Sequence, residues 1–412
     1  MSKVVVLGGC GGIGSVAARA VACGDWFDEV VLADLRGDEA AAAAAALQAD
    51  LGRSGISGAG VDATDPTDLA RLLEGATVAV SCIGPFYRFG APVLAAAIDA
   101  GVAFVDVCDD LDATLAQLEL DDAARAAGVP AIIGMGNSPG LANVLVRYAA
   151  DHLLDEVTAV DIMHNHGGEP DEGAAVVKHR IHAMVNDVPL FIDGELITVR
   201  LLEPSGQAHV IETDFRDVGT FPVFPYPHPE TITLPRHLPG LRRTTNMGVV
   251  FPLAYFEHTM AVVRQGLAEH PHAAIADLPV DDWVAEILAA RPRLLAEAGV
   301  TEPAGCLKII VRGTSDGAEH TYVFSLSSAG GAGAGEGTGI PAALGAVLLA
   351  RGSVDTPGVH PPEAVVDPLE LMALAGEVIG HFGIAGDGTG GVPIHIEHVL
   401  PDGTSEVIEL AL

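Results

Sequence analysis

The first apolar segment of the chain runs into glycines whose spacing suits the binding of a dinucleotide diphosphate. Residues 3–7 predict a buried strand, residues 15–22 predict a helix, and the glycines between them follow the pattern Gly-x-Gly-x-x-Gly. One glycine permits a tight turn, one lets backbone approach the phosphates, and one lets helix and strand pack closely. The N–H groups at the start of the helix then face the phosphates. The residues expected to bind them are Gly9, Gly11, Gly12, Ile13 and Gly14.

An acidic residue follows the second predicted strand. The apolar run 29–33 ends at Asp34, twenty residues after Gly14, where a carboxylate accepts hydrogen bonds from ribose hydroxyls. A carboxylate there also repels a ribose 2′-phosphate, so Asp34 favours NAD as the cofactor. The nearby Arg36 keeps NADP as the second choice. Strand, glycine spacing and acid together predict a nucleotide-binding domain.

Composition and charge exclude several classes of protein. The chain has 412 residues, of which 49% are hydrophobic, so it is long enough for two domains and too apolar to be disordered. Its formal net charge of −34 disfavours nucleic acid and anionic membranes as partners and favours a cationic small molecule. A high-salt habitat or a GC-rich genome would explain the same acidity without reference to a ligand.

The cysteines and the first residues of the chain indicate the cellular compartment that we expect for the protein. The five cysteines are an odd number without C-x-x-C spacing, and the chain starts without a basic segment followed by an apolar one. No apolar run reaches the roughly 18–20 residues that cross a bilayer. We therefore expect a reduced, cytoplasmic protein.

Alternating strands and helices organise the first third of the chain. Further strands are predicted at 60–62, 77–83, 103–107 and 131–133, and the alanine run 40–46 predicts a helix. This alternation is typical of an α/β domain with a doubly wound parallel sheet and helices on both faces. We place the dinucleotide-binding domain at residues 1–140.

From about residue 155, strands and hairpins predict a second, α+β domain on a mixed or antiparallel sheet. Residues 157–163 predict a strand, and Asp193-Gly194 and residues 315–317 predict hairpin turns. The proline-rich residues 221–229 are expected to form an ordered loop. We place this substrate and dimerisation domain at residues 141–335.

The last part of the chain is expected to pack partly back on the first domain. The glycine-rich residues 329–339 predict a flexible connector or a mobile lid, and residues 340–351 predict a buried helix. Residues 392–399 and 405–410 predict a C-terminal hairpin. We place this third segment at residues 336–412.

Short motifs in a distinctive order resemble the saccharopine dehydrogenase family over roughly residues 3–380. Besides the glycine loop, the matching segments are 61–65, 82–86, 104–108, 140–143, 166–170, 339–345 and 357–363. Residues 226–235 and 242–246 resemble its lysine 6-dehydrogenase branch. The resemblance implies NAD(P)-dependent oxidoreduction at a carbon that bears an amine, a variant Rossmann domain joined to an α/β substrate domain, and a homodimer.

The resemblance also implies roles for residues at strand ends. Asp62 and Ala63 would lie beside adenine, and Cys82, Gly84 and Pro85 beside the ribose and nicotinamide. Both segments are predicted at the carboxyl ends of sheet strands, where open α/β sheets bind ligands.

Two departures from the family pattern bear on the substrate. Members that act on saccharopine often carry Asp-Pro-Gly where this chain has Ser138-Pro-Gly, and Gly-Gly-Leu-Pro where it has Gly167-Gly168-Glu169-Pro. Glu169 would pair with a cationic amine more readily than with the third carboxylate of saccharopine. We expect Gly168 and Glu169 to contact a small cationic amine or amino acid.

Oxidation of an amine by hydride transfer requires a neutral amine and therefore a base. The candidates are Asp106, Asp109 and His182, with Asp106 preferred. Asp109 and Asp110 form a like-charge pair if both are buried, or a solvated helix start if they are not. Arg242 and Arg243 near Asn246 offer planar donors for a carboxylate, and we favour Arg243 with Asn246.

The histidines of the second domain are not expected to bind a metal. His164 and His166 alternate on a strand, whereas His179 and His182 lie one helical turn apart in another element, and hydride transfer needs no metal. Contact of one of these histidines with substrate stays open. Cys108 is expected to be a small buried residue.

The leading hypothesis is therefore an NAD-dependent dehydrogenase of an amine or amino acid that resembles lysine 6-dehydrogenase, with an imine that hydrolyses or cyclises. An alternative is reductive amination with NADPH of the saccharopine or carboxynorspermidine type. A hypothesis of another class is a non-catalytic NAD-binding redox sensor.

Overall fold

The computed structural model describes residues 2–169, 172–328, 334–384, 394–400 and 403–408. Within these ranges the first part of the chain forms β1 (Lys3–Leu7), α1 (Gly12–Cys23), β2 (Glu29–Asp34), α2 (Gly37–Leu51), β3 (Ile56–Gly60), α3 (Pro66–Leu73), β4 (Val78–Ser81), α4 (Phe86–Ala100), β5 (Ala103–Asp106), α5 (Leu111–Leu118), α6 (Asp121–Ala127), β6 (Pro130–Ile132) and α7 (Leu141–His152). The middle part forms β7 (Glu156–Gly167), α8 (Ala174–Val185), β8 (Val188–Ile192), β9 (Glu195–Val199), α9 (Pro204–Gln207), β10 (Ile211–Phe215), β11 (Gly219–Pro225), α10 (Glu230–His237), β12 (Arg243–Phe251), α11 (Leu253–Glu269), α12 (Val280–Glu297), β13 (Ala304–Ser315) and β14 (Ala318–Ser327). The last part forms α13 (Ala334–Arg351), β15 (Gly358–His360), α14 (Pro362–Val365), α15 (Pro368–Ile379), β16 (His395–Val399) and β17 (Ser405–Ile408), and short 3₁₀ turns lie at Ile275–Asp277 and Gly380–Phe382.

These elements form two compact units, and the chain enters the first unit twice. The first unit contains the described residues up to Tyr148 and those from Ala334 to 384, and the second contains the described residues from Ala149 to 328 together with β16 and β17. The segment proposed at residues 336–412 is therefore divided, with its helices in the first unit and its hairpin in the second.

The first unit is built on a parallel sheet of seven strands in the order β15-β6-β5-β4-β1-β2-β3. Val4 to Leu7 of β1 have no exposed surface, because β4 and β2 flank this strand and helices cover the sheet. Each such side chain contributes about 1.5–3 kcal/mol by burial. This confirms the predicted doubly wound, Rossmann-like domain.

Strand β3 differs from the prediction at 60–62, because it spans Ile56–Gly60. Its small residues lie against α2: a Cβ on Gly58 would come within 2.3 Å of the Ala40 backbone. A strand that needs small residues for this contact lacks the apolar pattern by which strands are recognised.

Glycines on one side of α13 let this helix pack against α1. A Cβ on Gly339 would lie 2.7 Å from the carbonyl oxygen of Ile13, and one on Gly335 would lie 3.2 Å from that of Gly12. Residues four apart share one helix face, so the two glycines form a single contact surface. The expectation of a flexible connector or lid is wrong for residues 334–339, which begin the helix, and residues 329–333 lie outside the described ranges.

The second unit is built on a mixed sheet, as predicted. Its main path is β10-β11-β12-β7-β13-β14-β16-β17, with β8 and β9 branching from β12. Strands β12 and β7 are parallel, and the other neighbours pair antiparallel. Ile181 of α8, Phe256 of α11 and Trp283 of α12 are buried in its core. No helix in the described part of the chain is both long enough and apolar enough to span a bilayer.

The proline-rich residues 221–225 form part of strand β11, so the expectation of a loop is wrong there. Residues 219–223 pair with β10 only, and residues 224–225 pair with β12 only. Each proline therefore lies where the strand is paired on one side only. Proline is tolerated at such positions, because it has no N–H to donate to a second neighbouring strand. Of the predicted C-terminal hairpin, residues 392–393, 401–402 and 409–410 lie outside the described ranges.

Candidate functional site

The glycine loop between β1 and α1 has the backbone that the spacing predicts. Gly8 adopts a φ of 76°, and the N–H groups of Gly8 and Gly9 both donate to the Ala33 carbonyl, at 2.8 and 3.0 Å. A Cβ on Gly14 would lie 2.1 Å from the Gly8 carbonyl oxygen, so this position accepts only glycine. The loop is thereby fixed between β2 and the first turn of α1.

The outer side of this loop fits the phosphates of a dinucleotide. Gly11 and Gly12 are exposed, and a Cβ on Gly12 would meet no atom within 4 Å. No side chain within the described ranges caps α1, whose first helical residues include Ile13. Exposed N–H groups at a helix start, on backbone without side chains, are a binding site for anionic groups.

Asp34 ends β2 beside the glycine loop, as predicted, and it is paired with Arg36. Arg36 Nε lies 3.3 Å from Asp34 Oδ1, and Arg36 Nη1 lies 2.6 Å from Glu39 Oε2. The Asp34 side chain is 13% exposed and that of Arg36 is 57% exposed. Two carboxylates therefore neutralise the one cation at this position.

The other predicted cofactor contacts lie after the carboxyl ends of neighbouring strands. Asp62 and Ala63 follow β3, and Asp62 is exposed and accepts hydrogen bonds from the N–H and hydroxyl of Thr64 at 2.9 and 2.6 Å. Cys82 follows β4, donates its N–H to the Leu7 carbonyl at 2.9 Å, and precedes the Gly84–Pro85 bond at the start of α4. Burial raises the pKa of the Cys82 thiol to about 12.

Asp106 ends β5 with no exposed surface, and three protein donors occupy its carboxylate. Its Oδ1 accepts the N–H groups of Gly134 and Cys108 at 2.8 and 3.1 Å, and its Oδ2 accepts the amide of Gln117. Burial raises its pKa to about 6. This geometry holds the end of β5, the turn after β6 and helix α5 together, and it argues against Asp106 as the base.

Asp109 and Asp110 lie in the turn between β5 and α5. Asp110 is buried and accepts the Tyr87 N–H at 3.1 Å, so it fixes the start of α4, whereas Asp109 is half-buried. Cys108 is buried, as expected, and burial raises the pKa of its thiol well above the ordinary value.

The second unit places histidines and a tyrosine in one aromatic group. The rings of His164 and His228 stack at 5.2 Å, and Tyr226 contacts both edge-on, at 5.3 and 5.4 Å. His166 stacks on His164 at 6.1 Å, and His179 lies 6.4 Å from Tyr226. Burial, followed by the neighbouring histidines, lowers the pKa of His164 well below its ordinary value, so His164 is neutral.

A buried carboxylate and amide adjoin this aromatic group. His228 Nδ1 lies 3.7 Å from Glu230 Oε2 and 3.3 Å from the amide nitrogen of Asn246. That nitrogen also donates to Glu230 Oε1 at 3.3 Å. Glu230 and Asn246 have no exposed surface, so His228 is oriented by two groups that are themselves fixed.

A second polar group, the arginine–tyrosine cluster, consists of Glu169, Glu172, Arg180, Tyr255 and Arg291. Arg180 pairs with Glu172, which also accepts the Tyr255 hydroxyl at 2.5 Å and lies 3.5 Å from Arg291 Nε. The guanidinium groups of Arg180 and Arg291 each lie over the Tyr255 ring, at 5.4 and 5.5 Å. Glu169 Oε2 lies 3.9 Å from Arg291 Nη2.

The structure does not bring Arg243 and Asn246 together. Residues three apart on strand β12 point to opposite faces of the sheet, so these two side chains diverge. Arg243 and Arg312 instead bind opposite oxygens of Asp161, at 2.8 and 2.6 Å. Arg242 donates to the Asp193 carbonyl at 3.2 Å. Substrate contact by Arg243 and by Asn246 stays a prediction, and on this geometry the two side chains would not bind one carboxylate together.

The remaining predicted residues of the second unit are Gly168 and His182. Gly168 follows β7 with a φ of 84°, and a Cβ there would lie 2.7 Å from the Glu302 carbonyl oxygen. His182 is half-buried on α8, two residues after Arg180. Sequence reasoning missed Arg180, Tyr255 and Arg291, because buried arginines on separate helices carry no local signal. The resemblance in residues 226–235 was the signal for His228 and Glu230.

Comparisons with known proteins found similar sequences and a similar fold. Residues 4–132 match the family model described as saccharopine dehydrogenase NADP binding domain. Carboxyaminopropylagmatine dehydrogenase from Synechocystis is 25% identical over 92% of this chain and 96% of its own length. Carboxynorspermidine synthase from Vibrio cholerae is 26% identical over 68% of this chain and 70% of its own. Apo saccharopine dehydrogenase (L-Glu forming) from Saccharomyces cerevisiae has a similar fold, with a TM-score of 0.65 at 16% identity over 96% of this chain and 100% of that one.

The lysine 6-dehydrogenase branch and the choice between NAD and NADP stay predictions. The comparisons confirm that the chain resembles the saccharopine dehydrogenase family in sequence and fold, and that residues 4–132 match a family model for a pyridine-nucleotide-binding domain.

Proposed function

We propose that the protein is an NAD-dependent dehydrogenase that acts on the C–N bond of an amine carrying a carboxylate. Two relatives that cover most of the chain have names that contain carboxylated amines, a carboxyaminopropylagmatine dehydrogenase and a carboxynorspermidine synthase. The observation that carries the proposal is the 402-residue alignment with the first of these, because a match over 92% of the chain includes residues of both units.

A second candidate is oxidation of the side-chain amine of lysine or a similar primary amine. It is favoured by Glu169, a carboxylate that is 35% exposed and can pair with an ammonium group. Both candidates involve an amine and a carboxylate in one molecule, and they differ in whether the nitrogen joins two carbon chains.

The bound nicotinamide supplies the hydride acceptor, and the chain must supply a group that takes the amine proton. We propose His228 for this role, since its ring is held beside Asn246 and buried Glu230, whose carboxylate oxygen lies 3.7 Å from Nδ1. Buried Glu230 also stabilises the imidazolium that forms. Asp109 and His182 are the other candidates to be tested.

Asp34 supports NAD over NADP. Arg36, the cation nearest to Asp34 along the chain, is engaged by Asp34 and Glu39, so a 2′-phosphate would have to compete with two carboxylates. The description of the matching family model refers to NADP, which makes a direct comparison of the two cofactors necessary.

The first experiment follows reduced nucleotide by its absorbance with NAD or NADP, using carboxynorspermidine, saccharopine, lysine, ornithine and putrescine. We expect turnover with NAD and a carboxylated secondary amine. Turnover with lysine alone would support the second candidate. Nucleotide binding without turnover on any amine, in either direction and at low or high salt, would contradict both and favour a redox sensor.

Variants then separate the candidate bases. Replacing a general base costs about 10²–10⁴-fold in kcat, so we expect this loss for His228→Asn with nucleotide binding unchanged. Asp109→Asn and His182→Asn, measured in parallel, identify the base if His228→Asn retains turnover. Gly14→Ala is the control for the cofactor, because its Cβ would collide with the Gly8 carbonyl and abolish nucleotide binding.

A further inference from the structure

The arginine–tyrosine cluster contains two buried guanidinium groups. Arg180 is 2% exposed and Arg291 is 4% exposed, and the side chain of Glu172, which contacts both, is 9% exposed. Glu169, the other acid of the cluster, is more exposed and reaches only Arg291. Two buried guanidinium groups therefore share one buried carboxylate. Buried charge is costly unless it is paired and hydrogen-bonded, so the hydrogen-bonding capacity of each guanidinium group matters here.

One donor of the cluster is available for that anion. Nη1 of Arg180 is buried and has no hydrogen-bond partner among the residues that the structure describes. Its Nη2 is committed to Glu172, and the Tyr255 ring lies against the guanidinium plane. A buried donor without a partner destabilises the fold, and a ligand acceptor at this edge would remove that cost.

The rest of the cluster holds Arg180 in one orientation. Glu172 is itself fixed by Tyr255 and Arg291, and the pairing holds the pKa of Glu172 below its usual range although burial alone would raise it. Burial, followed by the charge of Arg180, lowers the pKa of His166, so the His166 ring adds no positive charge beside Arg180. The guanidinium edge is therefore a preorganised donor with a permanent charge.

We propose that Arg180 binds the carboxylate of the substrate and thereby selects carboxylated amines over the same amines without the carboxylate. The inference rests on the proposed function and deepens it. Planar pairing of guanidinium with carboxylate is a strong, charge-assisted interaction, and Nη1 of Arg180 is a buried donor that such a carboxylate would satisfy. Arg180 replaces Arg243 in this role, since Arg243 is bound to Asp161.

The test uses two ligands that differ by one carboxylate, carboxynorspermidine and norspermidine. Calorimetry on the wild-type enzyme with NAD should show tighter binding of the carboxylated ligand, by about 10–100-fold for a hydrogen bond to a charged group. Arg180→Gln should remove most of this preference by weakening carboxynorspermidine alone. Arg293→Gln is the matched control, because Arg293 is a 61% exposed arginine on α12 that pairs with Glu297 on the same helix.

A second variant covers the case in which Arg180→Gln does not fold. Arg180→Lys keeps the charge opposite Glu172 but lacks the planar fork, and we expect about a 10-fold loss that is again confined to the carboxylated ligand. A merely structural role of Arg180 would weaken both ligands equally and would overturn the inference. Equal binding of the two ligands to the wild type would also overturn it.

The inference and the proposed function fail in different ways. If the enzyme turns over no amine but binds carboxynorspermidine more tightly in an Arg180-dependent way, the carboxylate site stands and the proposed reaction falls. If it turns over an amine and the Arg180 variants do not discriminate between the ligands, the reaction stands and the carboxylate site falls.

Discussion

Replacing Asp106 with asparagine distinguishes a structural carboxylate from a catalytic base. Burial raises the pKa of Asp106 from an ordinary value of 3.8 to about 6. A carboxylate whose pKa is raised by burial destabilises the folded state wherever it is ionised. The difference between these two values corresponds to about 3 kcal/mol in the free energy of unfolding.

The sign of the pH dependence follows from which state binds the proton. Between about pH 4 and pH 6 the folded protein retains the Asp106 proton and the unfolded chain does not, so the contribution to stability falls as pH rises through this window. Asparagine has no charge to desolvate. Its Oδ1 can accept the N–H groups of Cys108 and Gly134, and rotation of the Gln117 amide would turn its Oε1 toward the new donor.

Urea unfolding from about pH 4 to pH 8 measures the difference. We expect Asp106→Asn and the wild type to have similar free energies of unfolding near pH 4, and the variant to be more stable by up to about 3 kcal/mol at pH 7. Turnover by the variant should stay within a few-fold of the wild type. A difference that does not depend on pH would refute the burial argument. A loss of kcat of about 100-fold or more, with nucleotide binding retained, would instead identify Asp106 as the base.

Three further predictions concern the cofactor, the helix contact and the sheet of the second unit. Asp34→Ser should lower kcat/KM for NAD by about 10-fold and raise it for NADP by a similar factor, because a charged hydrogen bond to ribose is lost and repulsion of a 2′-phosphate is removed. Asp50→Ser, at the far end of α2, should change kcat/KM for neither cofactor. The ratio of kcat/KM for NAD to kcat/KM for NADP is the measurement that tests the role of Asp34. Gly339→Ala should lower the melting temperature and weaken nucleotide binding, because its Cβ would meet a carbonyl of α1 at 2.7 Å, whereas Gly337→Ala, with its nearest atom at 3.7 Å, should be neutral or stabilising. Asp161→Asn should cost about 2 kcal/mol at pH 7, since its arginine and threonine partners hold its pKa below the usual range against the effect of burial. That cost should disappear as pH falls below about 4 in urea unfolding, and a constant cost would contradict an electrostatic origin.

The nucleotide-binding half was predictable because its signals are local. A buried strand, three spaced glycines and an acid at the end of the next strand all lie within the first 34 residues. In a parallel sheet the carboxyl ends of adjacent strands lie on one edge, so the order of strands along the chain was enough to group Asp34 and Cys82 with the loop.

The contacts of the proposed site in the second unit could not be predicted from the order of the residues in the chain. Arg243 and Asn246 are neighbours in the chain, yet strand geometry separates them onto two faces. Arg180 and Arg291 belong to different helices and meet because both contact Glu172 and Tyr255. The glycines of α13 suggested flexibility because their packing partner, α1, lies at the other end of the chain.

The chain enters the first unit twice, so the ribosome completes this unit only late in synthesis. Helix α1 contacts α13, but residues 149–333 must be translated between Tyr148 and Ala334. At about 5–20 residues per second, the ribosome needs roughly 10–40 s for this interval. During that time the nucleotide loop emerges without the helix that supports it. Cofactor therefore stabilises only a nearly finished chain, and the elements of the second unit up to β14 are translated before the nucleotide can help them fold.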